Sequence, residues 1–115
     1  MTNKFIEKPW GYEELLEHNE RYVLKKLFMK KGCRCSLQYH LVKCETILVL
    51  QGKLDIEEGA SVDSLKRVTY GEGESLTLKP GRIHRMSAQE DCLYIEASTP
   101  ELDDVERISD DYNRV

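Results

Sequence analysis

Short segments in which apolar and polar residues alternate every second position constrain this chain more than any other feature of its sequence. Such a period of two predicts β-strands, because successive side chains of a strand point to opposite faces of the sheet. The segments predicted as strands are residues 22–29, 34–41, 45–50, 65–70, 75–78, 83–86 and 93–97. Glycine-containing turns separate them, so the pattern favours an all-β sandwich or small barrel.

The remaining segments add little regular structure to this prediction. Residues 13–18 and 103–112 are each expected to form a short helical turn near a terminus, and residues 57–64 the mobile tip of a hairpin. A chain of 115 residues holds one domain rather than two. We therefore predict a single β domain over residues 1–115.

Composition excludes several classes of function. The chain has 17 basic and 21 acidic residues and a net charge of -4, which disfavours nucleic acid and anionic membranes as partners. No apolar run is long enough to span a bilayer, and no secretory signal is visible, so a cytoplasmic location is expected. Four cysteines include one Cys-x-Cys pair, and in a reducing compartment they are interpreted as small buried side chains rather than disulfides or zinc ligands.

Four polar residues at predicted strand ends are candidates for a metal site. Gln38 and His40 point to the same face of one strand, Glu45 begins the next strand, and His84 begins another after a Pro-Gly turn. One amide oxygen, two imidazoles and one carboxylate suit zinc, manganese, iron or nickel. The alternative is that these histidines are only hydrogen-bonded, which is our interpretation of His18.

The spacing of these residues resembles the two motifs of the cupin superfamily. The first motif has the form G-x5-H-x-H-x4-E-x6-G. It is matched, with glutamine for its first histidine, by Gly32, Gln38, His40, Glu45 and Gly52. The end of the second motif is matched by Gly81 and His84. The resemblance implies a double-stranded β-helix, which is a small jelly-roll barrel. It also implies that Gln38, His40, Glu45 and His84 hold one divalent ion, with zinc or manganese favoured over iron or nickel.

A closer resemblance is to the C-terminal isomerase domain of type II phosphomannose isomerase/mannose-1-phosphate guanylyltransferases. It is carried by K-P-W-G-Y-E at 8–13, R-C-S-L-Q-Y-H at 34–40, H-R at 84–85 and the tail at 103–114. It implies metal-dependent aldose–ketose isomerisation of a sugar or sugar phosphate, in polysaccharide or nucleotide-sugar precursor supply. The alternatives are a sugar-binding module without turnover and an iron-dependent oxygenase. The stretch H-L-V-K at 40–43 departs from the H-H-H-R of that subgroup and makes the rim more apolar.

An isomerase also needs a base that moves a proton between carbons. Glu96 is polar within an apolar strand, so it is the candidate base, and a structural carboxylate in a salt bridge is the alternative interpretation. Lys25 or Lys26 could also face the interior, because the parity of their strand is ambiguous.

Arginines are the candidates for binding an anionic substrate. Arg34 has the parity of Gln38, which predicts an interior guanidinium that pairs with a substrate phosphate or with an acidic residue such as Glu96. Arg82 in the turn and Arg85 beside the second motif are weaker candidates.

The segment 45–50 is apolar on both parities, so something should cover its outer face. A second subunit is the simplest cover and predicts a homodimer. The N-terminal arm with Trp10 is the alternative.

Overall fold

A computed structural model describes residues 4–115, and these residues confirm the all-β prediction. The strands are β1 (Lys4–Lys8), β2 (Gly11–His18), β3 (Val23–Met29), β4 (Leu37–Tyr39), β5 (Glu45–Gln51), β6 (Leu54–Gly59), β7 (Lys66–Tyr70), β8 (Ser75–Leu78), β9 (Ile83–Ala88), β10 (Cys92–Ser98) and β11 (Glu106–Ser109). A 3-10 turn at Val62–Ser64 precedes β7. Within the described range no helix is long and apolar enough to cross a membrane.

Two antiparallel sheets form the barrel. The first has the order β1-β2-β3-β10-β5-β8, and the second has the order β11-β4-β9-β6-β7. Every second residue of β3 is buried, which is the alternation of a strand with one face on the core. The buried apolar core draws on both sheets, and Trp10 belongs to it rather than covering the outside.

Strand β4 is shorter than its apolar–polar pattern predicts. Of the predicted segment 34–41 only Leu37–Tyr39 is a strand, and Arg34 forms an isolated bridge with Ser87. The predicted hairpin tip at 57–64 also differs, because its first three residues continue β6 in register with β7 and β9.

The predicted helical turns near the termini are wrong. Residues 13–18 belong to β2, which pairs with both β1 and β3, and β11 lies inside the segment 103–112 and pairs with β4. Local sequence favoured a turn, but strand partners from elsewhere in the chain satisfy the backbone hydrogen bonds instead.

Gly52 is the last glycine of the first motif, and its backbone conformation explains why glycine is needed there. Its φ of +89° lies in the left-handed region, and a Cβ atom there would lie 2.4 Å from the carbonyl oxygen of Asp91. Only glycine fits this turn after β5 without a shift of the backbone.

The four cysteines are free thiols. Cys35 and Cys92 are buried in the core as predicted, and burial raises the pKa of the Cys35 thiol to about 11. Cys33 and Cys44 are half-buried.

Candidate metal centre

The predicted metal ligands come from both sheets. Gln38 on β4 lies directly opposite His84 on β9 in the second sheet. His40 follows β4 in the connection to β5, and Glu45 is the first residue of β5 in the first sheet. The two motifs therefore meet between the sheets, inside the barrel.

His40, Glu45 and His84 form one compact buried group. Nε2 of His40 lies 3.1 Å from Oε1 of Glu45, and Nε2 of His84 lies 3.2 Å from the same oxygen. One ligand atom from each of the three residues lies within 4.8 Å of the others. All three residues are at most 3% exposed, so water does not solvate this cluster freely.

Backbone carbonyl groups orient both imidazoles. Nδ1 of His40 donates to the carbonyl oxygen of Asp104, and Nδ1 of His84 donates to the carbonyl oxygen of Arg82 at 3.0 Å. Carbonyl oxygens only accept, so Nδ1 of each ring carries a proton, and in the neutral form that binds a metal the lone pair lies on Nε2. This is the outer-shell arrangement that metal-binding histidines ordinarily have.

The donor set fits a divalent cation. Two Nε2 lone pairs face one carboxylate oxygen, and a single cation satisfies all three atoms at once. Burial acts to raise the pKa of Glu45, but His40, His84 and the ammonium group of Lys43 outweigh it and hold that pKa well below its usual range. Glu45 is therefore ionised, as a metal ligand must be.

Gln38 stands beside this group as the predicted fourth ligand. Its amide nitrogen donates to the carbonyl oxygen of Ser36 at 3.4 Å and contacts the sulfur of Cys35 at 3.8 Å. This leaves its side-chain oxygen as the atom for a metal. Ligation by Gln38 stays a prediction.

A cavity of about 320 Å³ opens above the His–Glu–His group. Its polar walls come mainly from the first sheet, where Glu13, Lys25 and Glu96 face inward, and from Lys43 in the β4–β5 connection. Lys25 lies 3.0 Å from Glu13, whereas Lys26 points to the outer face and pairs with Glu14 at 3.8 Å. Of the two lysines left open by parity, Lys25 is the inward one.

Glu96 lies on this wall close to the metal group. Nζ of Lys43 is 3.6 Å from Oε2 of Glu96 and 3.5 Å from Oε2 of Glu45, so one ammonium group bridges both carboxylates. Burial, followed by the negative charge of Glu45, raises the pKa of Glu96 to about 8. The interior position agrees with both interpretations of Glu96, as a base and as a salt-bridged carboxylate. Lys43 was not predicted, although it holds the arginine position of the H-H-H-R stretch.

The interior position predicted for Arg34 is wrong. Its side chain is 41% exposed and its guanidinium group binds both oxygens of Asp111, at 2.7 and 2.9 Å, so the partner is an acidic residue, as one alternative predicted, but not Glu96. Residues 34–36 lie outside β4, so the period of two does not extend from Gln38 back to Arg34. Side chains alternate between two faces only within a regular strand, so the face of Gln38 does not predict the direction of Arg34.

The other two predicted arginines also lie outside the cavity lining. Arg82 is on the surface, with Nε 3.4 Å from Glu58. Arg85 is buried and donates to the carbonyl oxygens of Cys35 and Ser109, at 3.0 and 3.2 Å, which ties β9 to the chain around it. A role for these arginines in substrate binding stays a prediction, and their positions give it no support.

Two arginines of the C-terminal tail line the cavity instead. These are Arg107 on β11 and Arg114 after it. Sequence reasoning missed them, although both belong to the tail segment 103–114 that carried part of the family resemblance.

Comparisons with known proteins agree with this geometry. The family model described as mannose-6-phosphate isomerase C-terminal matches residues 1–110. The mannose-1-phosphate guanylyltransferase ManC of Salmonella typhimurium is 30% identical over 96% of this chain and 23% of that protein. The Escherichia coli mannose-1-phosphate guanylyltransferase is 28% identical over 99% of this chain and 24% of that protein. The chain thus spans about a quarter of the length of these curated relatives.

Among solved structures, KdgF from Halomonas sp. has a similar fold. Its TM-score is 0.75 at 16% identity, over 84% of this chain and 86% of that one. The model match covers nearly the whole chain, and the two motifs occupy the positions that the barrel requires. The chain therefore belongs to the mannose-6-phosphate isomerase C-terminal family of cupins.

Proposed function

We propose that this chain is a metal-dependent aldose–ketose isomerase that acts on a sugar phosphate, with mannose 6-phosphate as the first substrate to test. The observation that carries the proposal is the buried group of His40, Glu45 and His84 at the floor of a polar cavity. Membership of the mannose-6-phosphate isomerase C-terminal family supports the choice of substrate.

The cavity suits a small polar ligand. Its volume of about 320 Å³ lies at the lower end of the range for ligand pockets. Paired charges on its wall, such as Lys25 with Glu13, can exchange hydrogen bonds with sugar hydroxyl groups. A divalent ion held by His40, Glu45, His84 and Gln38 would supply Lewis-acid polarisation of the substrate oxygens.

In this proposal Glu96 moves the proton between the two carbons. In this scheme its carboxylate takes the proton from C2 of the aldose, the electron pair of that C–H bond forms a C1–C2 double bond, and the carbonyl pair of C1 moves onto its oxygen to give an enediolate. Glu96 then returns its proton to C1, and the proton of the C2 hydroxyl group passes to the oxygen on C1 as the oxygen on C2 becomes the carbonyl of the ketose. Atoms and electrons balance without an oxidant or reductant.

A sugar-binding module without turnover is the second candidate function. The ion pair between Lys43 and Glu96 favours it, because the charge of Lys43 acts against the raised pKa of Glu96 and a carboxylate engaged in this pair can serve structure alone. The two candidates share the metal site and differ only in conversion of the sugar. Preferential loading with iron would instead support the oxygenase alternative.

The metal site is tested by elemental analysis of the purified protein and its variants. We expect about one divalent ion per chain, and we expect Glu45→Gln and His84→Ala to lose it while keeping a β-sheet circular dichroism spectrum. His18→Ala is the matched control, since His18 is an exposed histidine at the end of β2. Unchanged metal content in Glu45→Gln and His84→Ala would reject the site.

Activity is tested with a panel of sugar phosphates followed by nuclear magnetic resonance in heavy water. Conversion of mannose 6-phosphate with deuterium incorporation at C1 or C2 would support the isomerase. Tight binding of the sugar without conversion would support the binding module.

A further inference from the structure

Arg107 lies in one row with two of the candidate metal ligands. The strand register places Arg107 on β11 opposite Gln38 on β4, and Gln38 opposite His84 on β9. Residues that are directly opposite in neighbouring strands project from the same face of a sheet. Arg107 therefore projects into the barrel with Gln38 and His84, and it lines the cavity.

The guanidinium group of Arg107 has no carboxylate partner among residues 4–115. Its Nε atom is buried and makes no hydrogen bond, and no ion pair within 4.0 Å involves it. Two other arginines differ, because Arg114 binds both oxygens of Asp110 at 2.8 Å and Arg34 binds the tail residue Asp111. A partly buried cation without a partner is costly, so an anion from outside the chain would stabilise it.

The carboxylates inside the cavity do not supply that anion. Glu13 is paired with Lys25, Glu96 is paired with Lys43, and Asp103, which also lines the cavity, makes no ion pair with Arg107 within 4.0 Å. Both pairs sit on the first sheet or the β4–β5 connection, whereas Arg107 extends from the second sheet. The cavity thus keeps one uncompensated guanidinium group on the wall that also carries Gln38 and His84.

We propose that Arg107 binds the phosphate group of the substrate. Two strand spacings of about 4.8 Å separate the backbone of Arg107 from that of His84, or roughly 10 Å. A ligand that reaches both must carry its reacting carbons at one end and its anion at the other. A sugar phosphorylated on the carbon farthest from its carbonyl has this form. The proposal rests on the proposed function and makes Arg107 the residue that selects phosphorylated over free sugars.

The test measures binding by isothermal titration calorimetry with mannose 6-phosphate, mannose and inorganic phosphate. We expect the wild type to bind mannose 6-phosphate far more tightly than mannose. Arg107→Gln should weaken mannose 6-phosphate binding by about tenfold to a hundredfold, since a charge-assisted bidentate contact is lost, and it should leave mannose binding and metal content unchanged. Arg107→Lys keeps the charge but not the planar guanidinium group, so its affinity for mannose 6-phosphate should lie between those of the wild type and of Arg107→Gln.

Arg67→Gln is the charge-matched control, because Arg67 is an exposed arginine on β7 that pairs with Glu57. If the wild type prefers mannose 6-phosphate and both Arg107 variants keep that preference, the role of Arg107 is rejected while the proposed function stands. If mannose 6-phosphate does not bind but inorganic phosphate binds in an Arg107-dependent way, the anion site stands and the proposed substrate is rejected. Absence of both forms of binding rejects both.

Discussion

Asp104 and His40 are 64 residues apart in sequence, and the carbonyl oxygen of Asp104 accepts a hydrogen bond from Nδ1 of His40. The carboxylate of Asp104 also accepts hydrogen bonds from the backbone N–H groups of Leu41, Val42 and Lys43, at 2.9, 2.7 and 2.8 Å. One tail residue therefore fixes both the ring of a metal ligand and the loop that follows it.

Asp104→Asn should lower metal affinity about tenfold, because an amide cannot accept all three N–H bonds and the loop carrying His40 becomes less ordered. Chelator competition would measure the change. Asp63→Asn is the control, since Asp63 is exposed in the 3-10 turn before β7. Equal metal affinity in both variants would mean that the carboxylate of Asp104 does not position His40.

The three N–H bonds from Leu41, Lys43 and Val42 lower the pKa of Asp104 to about 2. The carboxylate of Asp104 is therefore ionised throughout the neutral pH range. An effect of Asp104→Asn on metal affinity should accordingly be the same at every pH in that range at which the wild type holds its metal.

Glu96→Gln should reduce kcat by about a hundredfold to ten-thousandfold, since the amide cannot accept the proton. Metal content and mannose 6-phosphate binding should stay near wild type, because Glu96 lies outside the proposed ligand set. Steady-state kinetics and elemental analysis measure the two effects separately. Glu20→Gln, on the exposed β2–β3 turn, is the control. An active Glu96→Gln enzyme would exclude Glu96 as the base.

The Asp110–Arg114 pair should give the tail a distinct pH dependence. Hydrogen bonding by the side chain of Arg114 lowers the pKa of Asp110 from 3.8 to about 2. A depressed carboxyl pKa stabilises the fold fully above 3.8, and that contribution is lost as the pH falls through about 2. Asp110→Asn should therefore melt earlier than wild type at neutral pH, and the difference should vanish at the acid end. A constant difference across that window would argue against the pair.

The outer face of the first sheet carries apolar side chains that a second subunit of the predicted homodimer could cover. Leu24, Phe28, Leu48 and Ile95 lie together on this face and are half-buried, with Ile95 opposite Leu48 in the register. We propose that a second copy covers this face, and light scattering should give twice the 13.4 kDa chain mass. Ile95→Lys should shift the protein to monomer, whereas Val62→Lys, at an exposed position before β7, should not. A wild-type monomer at micromolar concentration would reject the dimer.

Much of the site could be predicted from sequence because its residues sit at strand ends of fixed spacing. This spacing predicts Gln38, His40, Glu45 and His84 as ligands, and the ligand atoms of His40, Glu45 and His84 lie within 4.8 Å of one another. The substrate side was predicted less well. Parity predicts an interior Arg34, yet Arg34 binds Asp111, and the sequence pattern does not point to Arg107.

The sequence by itself determined the alternation that makes this chain an all-β barrel, and it determined which residues are available as metal ligands. These properties depend on local spacing, which a strand translates directly into one face or the other. Only the tertiary structure decided that residues 13–18 form a strand and that the tail inserts Arg107 beside Gln38. Both outcomes depend on pairing between segments far apart in the chain, and hydrogen bonding across strands overrides the preference of a short segment.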